Sequence, residues 1–186
     1  MRVIAGTARS LPLKTPDGQE TRPTTDRIKE TLFNILQPYL PDCIFLDLFS
    51  GSGQIGIEAL SRGARHAYFV ENGAKAFACI QQNVNFTRFE GQATLLRQEA
   101  ISALSAIHEK KVDVVFIDPP YGIGHEEKTL RVLGQMPYVT EDTLVIVEAA
   151  LDKSFSFAQE LGFQVEREKQ YKTNKHIFLK RQGEER

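Results

Sequence analysis

The sequence predicts an α/β fold: a doubly wound, mostly parallel sheet that closes on an antiparallel strand. Three observations carry this. From residue 43 onward, short β-branched runs alternate with stretches of helical periodicity, the pattern of strand–helix–strand units. The first run, residues 43–49, empties into Ser50-Gly51-Ser52-Gly53, a glycine turn that opens a helix. The chain ends on two strand-like runs with no helix between them, which pair as an antiparallel hairpin.

Taken in order, residues 1–22 read as a short β-hairpin or extended arm, with Pro16-Asp17-Gly18 as a strong turn signal. Pro23-Thr24-Thr25-Asp26 then opens a helix, because threonine oxygens cap orphan N–H groups and Asp26 suits the positive end of the dipole. Ile28, Leu32, Ile35 and Leu36 form its apolar stripe, and Pro38 and Pro41 close it. Beyond it, strands are expected at 43–49, 66–71, 93–97, 112–118, 143–148, 163–171 and 175–181. Helices are expected at 54–62, 74–86, 100–109, 126–135 and 153–161, and a turn at Thr173-Asn174. No repeat or linker divides the chain. The expectation is one domain over residues 1–186, with residues 1–40 as an extension packed on a core spanning 41–183.

Composition excludes several classes. With 41% hydrophobic and 25% charged residues, the chain is ordinary for a globular protein of one core. No apolar run approaches the ~20 residues that span a bilayer, and Met1 to Gly6 lacks the apolar centre of a secretory signal, so a cytoplasmic protein without membrane contact is expected. Cys43 and Cys79 have no C-x-x-C spacing and read as buried reduced thiols, with no metal site implied. A net charge of −1 argues against non-specific coating of nucleic acid, though cations gather locally in the N-terminal segment and in the closing hairpin.

Two stretches carry chemistry. Gly51, Gly53 and Gly56 satisfy G-x-G-x-x-G, so a nicotinamide dinucleotide must be weighed. Asp47 argues against it: four residues before Gly51, a carboxylate repels a pyrophosphate and suits a cation. S-adenosylmethionine carries an ammonium and a sulfonium. Glu71, eighteen residues after Gly53, can accept both ribose hydroxyls, and Glu99 can reach the adenine amino group. The second stretch is Asp118-Pro119-Pro120-Tyr121 at the end of a strand. The prolines make the backbone stiff and extended. Asp118 and the Pro119 carbonyl can then accept the two N–H groups of a planar amine, and Tyr121 can stack on its ring.

Asp47-Leu48-Phe49-Ser50-Gly51-Ser52-Gly53, Glu71 and Asp118-Pro119-Pro120-Tyr121 together resemble class I S-adenosylmethionine-dependent amino-methyltransferases. The segment Arg22-Pro23-Thr24-Thr25-Asp26-Arg27, with Glu30-Thr31-Leu32-Phe33-Asn34, narrows the resemblance to the RsmD family of 16S ribosomal RNA guanine-N2 methyltransferases, over Arg2 to about Lys180. The resemblance implies a Rossmann-like sheet of seven strands with the last one antiparallel. It implies methyl transfer to a guanine N2 of 16S rRNA in an assembled or assembling small subunit. It places Ser50 and Asn72 with Asp47, Gly51, Gly53, Glu71 and Glu99 on the cofactor, and Asp118, Pro119 and Tyr121 at the reacting amine. Arg22, Thr24, Arg27, Lys172 and Lys175 are expected to face the RNA. Two departures stand out: Glu99 occupies a position where the family has Asp, and the hairpin 171–175 has no glycine. An adenine-N6 methyltransferase on RNA or DNA remains open, as does a catalytically silent RNA-binding relative.

Overall fold

In the computed structural model, which describes residues 1–16, 25–122 and 124–183, the alternation becomes a seven-stranded sheet in the order β3-β2-β1-β4-β5-β7-β6. In chain order the elements are α1 (Asp26–Leu36), β1 (Ile44–Leu48), α2 (Gln54–Ser61), β2 (His66–Val70), α3 (Ala74–Thr87), β3 (Ala93–Leu96), α4 (Ala100–Leu104), β4 (Val114–Ile117), α5 (His125–Leu133), β5 (Leu144–Ala150), β6 (Phe163–Gln170) and β7 (Asn174–Arg181). The first five strands are parallel, and β7 runs antiparallel to both β5 and β6.

The strands are apolar along their whole length because both faces are covered. On one face Phe45, Phe69, Phe116, Ile146 and Phe178 pack with Leu32, Phe33 and Leu36 of α1, with α2 and α3, and with Val3, Ala8 and Leu13 of the N-terminal arm. On the other, Leu46, Leu48, Val115, Ile117, Val145 and Ile177 pack with α4 and α5. The chain leaves β1 toward β2 and β3, then returns to lay β4 on the other side of β1. The carboxyl ends of β1 and β4 are therefore adjacent, with Leu48 opposite Ile117. This reversal of winding at the carboxyl ends of β1 and β4 is where ligands bind in open α/β sheets.

Residues 1–16 pair as an arm, bridged antiparallel at Arg2 and Pro12. The Glu58 carboxylate of α2 accepts from the Ile4 and Ala5 N–H groups at 2.8 and 3.0 Å. Gly6 crosses so near α2 that a Cβ would stand 1.7 Å from the Ser61 carbonyl oxygen. Asn83 of α3 clamps Lys14 through both its backbone groups and also donates to the Ser52 carbonyl, which ties the arm to the glycine turn.

Four expectations shift. The stripe of α1 is rotated: Lys29, not Ile28, is buried beside Leu32. Its ammonium is accommodated because it donates to the Arg2 carbonyl and lies 3.6 Å from Glu58, which Arg62 also meets at 2.8 Å. The fourth helix ends at Leu104 rather than 109, where the Tyr138 hydroxyl takes the Leu104 carbonyl at 2.8 Å. Residues 153–161 form only a short 3₁₀ helix, Ser156–Leu161, because the Ser154 hydroxyl accepts from the Ser156 N–H and Gly162 turns left-handed. The closing turn falls one residue earlier than expected: Asn174 already belongs to β7, and its carbonyl accepts from Tyr171 N–H.

Candidate active site

The glycine turn is built from the strand outward. Phe49 leaves β1 with φ 65°, an uncommon backbone for a non-glycine residue, and Gly51 and Gly53 follow at 56° and 80°. No atom lies within 4 Å of the position a Gly51 Cβ would occupy, so the turn is open above that residue. A Cβ on Gly56 would stand 2.4 Å from the Phe69 ring, so this glycine sets the close approach of α2 to β2. The open turn followed by a tightly packed third glycine is the division of labour expected of G-x-G-x-x-G.

Asp47 is almost wholly buried, and its Oδ2 accepts from the Gly56 N–H at 3.1 Å. The helix cap, Gly53, has no side chain to serve the orphan donors of the first turn, so a carboxylate from β1 serves one of them. Burial, with help from the Glu71 carboxylate, pushes the Asp47 pKa up to about 8, against the hydrogen bonds from Gly56 and Ser50. Asp47 thus braces α2 as well as standing at the turn. Ser50 is also engaged inside the protein: its hydroxyl donates to the Asp47 carbonyl and accepts from Val70 N–H.

Glu71 is the bridge between two loops. One oxygen accepts from Gly51 N–H at 3.0 Å and the other from Gly73 N–H at 2.7 Å. The carboxylate is held at a fixed place beside the open turn, with lone pairs left for hydroxyl donors. Asn72, next to it, is exposed. Glu99 caps α4 instead: its Oε2 accepts from Ile101 and Ser102 N–H, at 2.9 and 3.2 Å. That bond set makes Glu99, just after β3, the N-cap of α4, a role beside the one the sequence assigns it at adenine.

Asp118 follows directly on β4, one residue beyond Ile117 and therefore level with the turn after β1. It is half-buried, Pro119 is buried, and Tyr121 stands 58% exposed at the rim. Removal from water, then the carboxylates of Glu148 and Asp47, hold the Asp118 pKa well above the ordinary range. Among the described residues, Asp118 is the one carboxylate of Asp47, Glu71, Asp118 and Glu148 that accepts no hydrogen bond.

The proposed RNA-facing residues are more scattered. Arg22 and Thr24 lie outside the described residues. Arg27 is exposed on the first turn of α1, while its neighbour Asp26 pairs with Arg2 at 3.0 Å. Lys172 is exposed in the closing turn. Lys175 is buried, with Nζ 3.3 Å from Glu168, so its charge is already paired within the hairpin. Cys43 and Cys79 are buried and are not joined in a disulfide, and the Cys79 Sγ donates to the Lys14 carbonyl at 3.1 Å. No cluster able to hold a metal ion occurs among the described residues.

Sequence reasoning missed one part of this site. Glu148 on β5 lies opposite His176 on β7, and Asn174 and His176 both meet its carboxylate, at 2.7 and 3.0 Å. The signal was present as two polar residues in strand-like runs, but only the register shows them facing each other.

A family model described as "Conserved hypothetical protein 95" matches residues 1–180. The chain belongs to this family. Among relatives, it is 37% identical over 152 residues to Ribosomal RNA small subunit methyltransferase D of Escherichia coli strain K12, covering 82% of this chain and 76% of that protein. It is 35% identical to the protein of the same name from Haemophilus influenzae, covering 82% and 80%. The solved structure of Escherichia coli yhhF, described as a methyltransferase, superimposes with a TM-score of 0.85 at 33% identity, covering 98% of each chain. The chain is thus a methyltransferase by descent and by fold.

Proposed function

We propose that the protein transfers a methyl group from S-adenosylmethionine to the exocyclic N2 amine of a guanine in 16S rRNA of the small ribosomal subunit. The observation that carries this reading is Asp118: a half-buried carboxylate with no hydrogen bond from the described residues, at the sheet reversal, beside an open glycine turn. The names of the relatives supply the RNA.

The residues present fit the cofactor. The space above Gly51 lets a ligand approach the backbone, Glu71 is fixed where two ribose hydroxyls could donate to it, and Asp47 brings negative charge near a cation. S-adenosylmethionine, when bound, supplies a methyl group on a positively charged sulfur. Asp118 and the Pro119 carbonyl accept the two N–H groups of the amine, which turns its lone pair toward that methyl group and stabilises positive charge developing on nitrogen. Tyr121, exposed at the rim, stacks on the base once it is out of its helix. Arg27 and Lys172 contribute exposed charge for the phosphate backbone, and Arg22 and Thr24 are assigned to RNA binding with them. The protein then works in the cytoplasm, where small subunits assemble, as a single methyltransferase domain.

The test is transfer from labelled S-adenosylmethionine to small subunits and to naked 16S rRNA from a strain lacking the gene, followed by mass analysis of the nucleosides. N2-methylguanosine in the subunit arm is the expected product. N6-methyladenosine would replace this reading by the adenine one, and no transfer to either RNA would overturn it.

A further inference from the structure

Behind Asp118 lies a layer of polar side chains that the reaction as described does not use. The pairing of Ile117 with Val147 makes Asp118 and Glu148 the next residues along neighbouring strands, and Glu148 is opposite His176 across β5 and β7. In-register residues on adjacent strands point to one face of a sheet. Asp118, Glu148 and His176 therefore form one row, on the face of Phe116 and Phe178, whose rings contact His176 edge-on at 5.9 and 6.5 Å.

The row is fixed from behind. His176 is fully buried, and its Nε2 is 3.0 Å from Glu148 Oε2 while Nδ1 is 3.2 Å from the Tyr171 hydroxyl. A carboxylate only accepts, so Nε2 carries the proton and Nδ1 accepts from the Tyr171 O–H. Asn174 donates to the other oxygen, Oε1, at 2.7 Å. Each Glu148 oxygen thus has a donor on the side of β7. The only charged groups facing Asp118 from the elements packed on it, among the described residues, are Glu148 on β5 and Asp47 on β1. Asp47 is committed to Gly56, the ammonium of Lys29 on α1 to Glu58, and Lys175 to Glu168. Arg167 on β6 is felt at Tyr171, on the far side of His176.

We propose that Glu148 is a positioning residue acting through Asp118: its carboxylate, clamped by Asn174 and His176 one strand away, makes Asp118 the acceptor of the proton that the methylated amine loses. The inference rests on the proposed reaction. In that step the N–C bond forms as the S–C bond breaks, and the electron pair stays on sulfur as a neutral thioether. The proton leaves nitrogen for the Asp118 carboxylate, and the methylated amine departs neutral. A lone carboxylate with an ordinary pKa is a poor proton acceptor at neutral pH. A neighbouring negative charge raises its affinity for the proton. The elevated pKa of Asp118 agrees in direction with this geometry.

The experiment compares native protein with Glu148→Gln. The amide keeps the shape of the site, and His176 can adopt its other tautomer to stay bonded. Two readouts are taken: the acid limb of kcat/KM against pH on small subunits, and the ¹³C titration of the Asp118 carboxyl in the protein alone. Both are expected to move to lower pH by roughly one to two units in the variant, with a lower plateau rate and unchanged affinity for S-adenosylhomocysteine. An Asp118 carboxyl that titrates at the same pH in both proteins overturns the proposal. If Glu148→Gln does not fold, the native protein decides, because an Asp118 carboxyl titrating in the ordinary carboxylate range overturns it equally. Failure of the native protein to methylate any subunit would instead strike the proposed function, and the carboxyl titration would still be readable.

Discussion

Replacing Glu71 tests how the cofactor side of the site is held. In the native protein both carboxylate oxygens accept backbone N–H groups, one from each loop, at 3.0 and 2.7 Å. A hydrogen bond to a charged acceptor contributes about 1.5–3 kcal/mol. The two do not simply add, because both loops are partly exposed and water takes up the freed N–H groups. A net destabilisation of ~1–3 kcal/mol is therefore expected for Glu71→Ala, a fall in Tm of roughly 3–10 °C at this chain length. Cofactor binding loses a further ~1–3 kcal/mol with the ribose contacts, about 5- to 150-fold in Kd. Glu71→Gln should be little better. The amide offers one acceptor where the site needs two, and turns its N–H₂ toward a backbone N–H. Differential scanning fluorimetry and titration calorimetry with S-adenosylhomocysteine measure the two effects. Both variants binding within twofold of native would refute the assignment of the ribose to Glu71. A normal Tm would refute the bridge between the loops.

Asp118→Asn should lower methyl transfer to small subunits by ~10²- to 10³-fold, with S-adenosylhomocysteine affinity within a few-fold of native; near-native turnover would remove Asp118 from the reaction. Asp47, with its pKa raised from 3.8 to about 8, disfavours folding increasingly as pH rises through that window. Asp47→Asn, whose carbonyl oxygen can still accept from Gly56, should therefore melt above the native protein near pH 9 and closer to it near pH 5; a gap that does not widen with pH would contradict the burial argument. Native affinity for S-adenosylmethionine should climb with pH toward about 8 as Asp47 loses its proton, and calorimetry on Asp47→Asn should show a flatter profile. Gly56→Ala drives a methyl group into the Phe69 ring and should cost about 1–3 kcal/mol of stability by chemical denaturation.

Much of the fold was legible because both faces of the sheet are covered. Runs such as Val114–Ile117 then stay apolar throughout, and their spacing reveals the crossovers. The glycine turn and Asp118 were legible because backbone freedom and proline stiffness are local properties. What escaped the sequence was long-range partnership. Nothing near Lys29 in the chain says that Glu58, 29 residues on, will meet its ammonium in the core. Helical periodicity alone put Ile28 there instead. That the Glu99 carboxylate also caps a five-residue helix, through one of its oxygens, was not visible in the sequence. Lys175 looked like a free cation until the hairpin register brought it to Glu168.

The same partnership explains how one sheet edge tolerates so many acids. Asp47, Glu71, Asp118 and Glu148 approach one another at the ends of adjacent strands, and like charges there repel in a medium poorer in water than bulk. Three are answered by N–H donors: Gly56 for Asp47, Gly51 and Gly73 for Glu71, Asn174 and His176 for Glu148. The donors to Glu71 and Glu148 stabilise charge without neutralising it, while burial keeps the proton on Asp47 until pH nears about 8. Asp118 stands beside them with no hydrogen bond from the described residues, and its pKa is raised by removal from water first and by Glu148 and Asp47 after it. A cation arriving at the turn lowers that pKa again by the reverse of the same interaction. In the proposed reaction, a bound cofactor cation would shift Asp118 toward the ionised state that accepts the N–H groups of an amine, so cofactor is expected to tighten binding of the target.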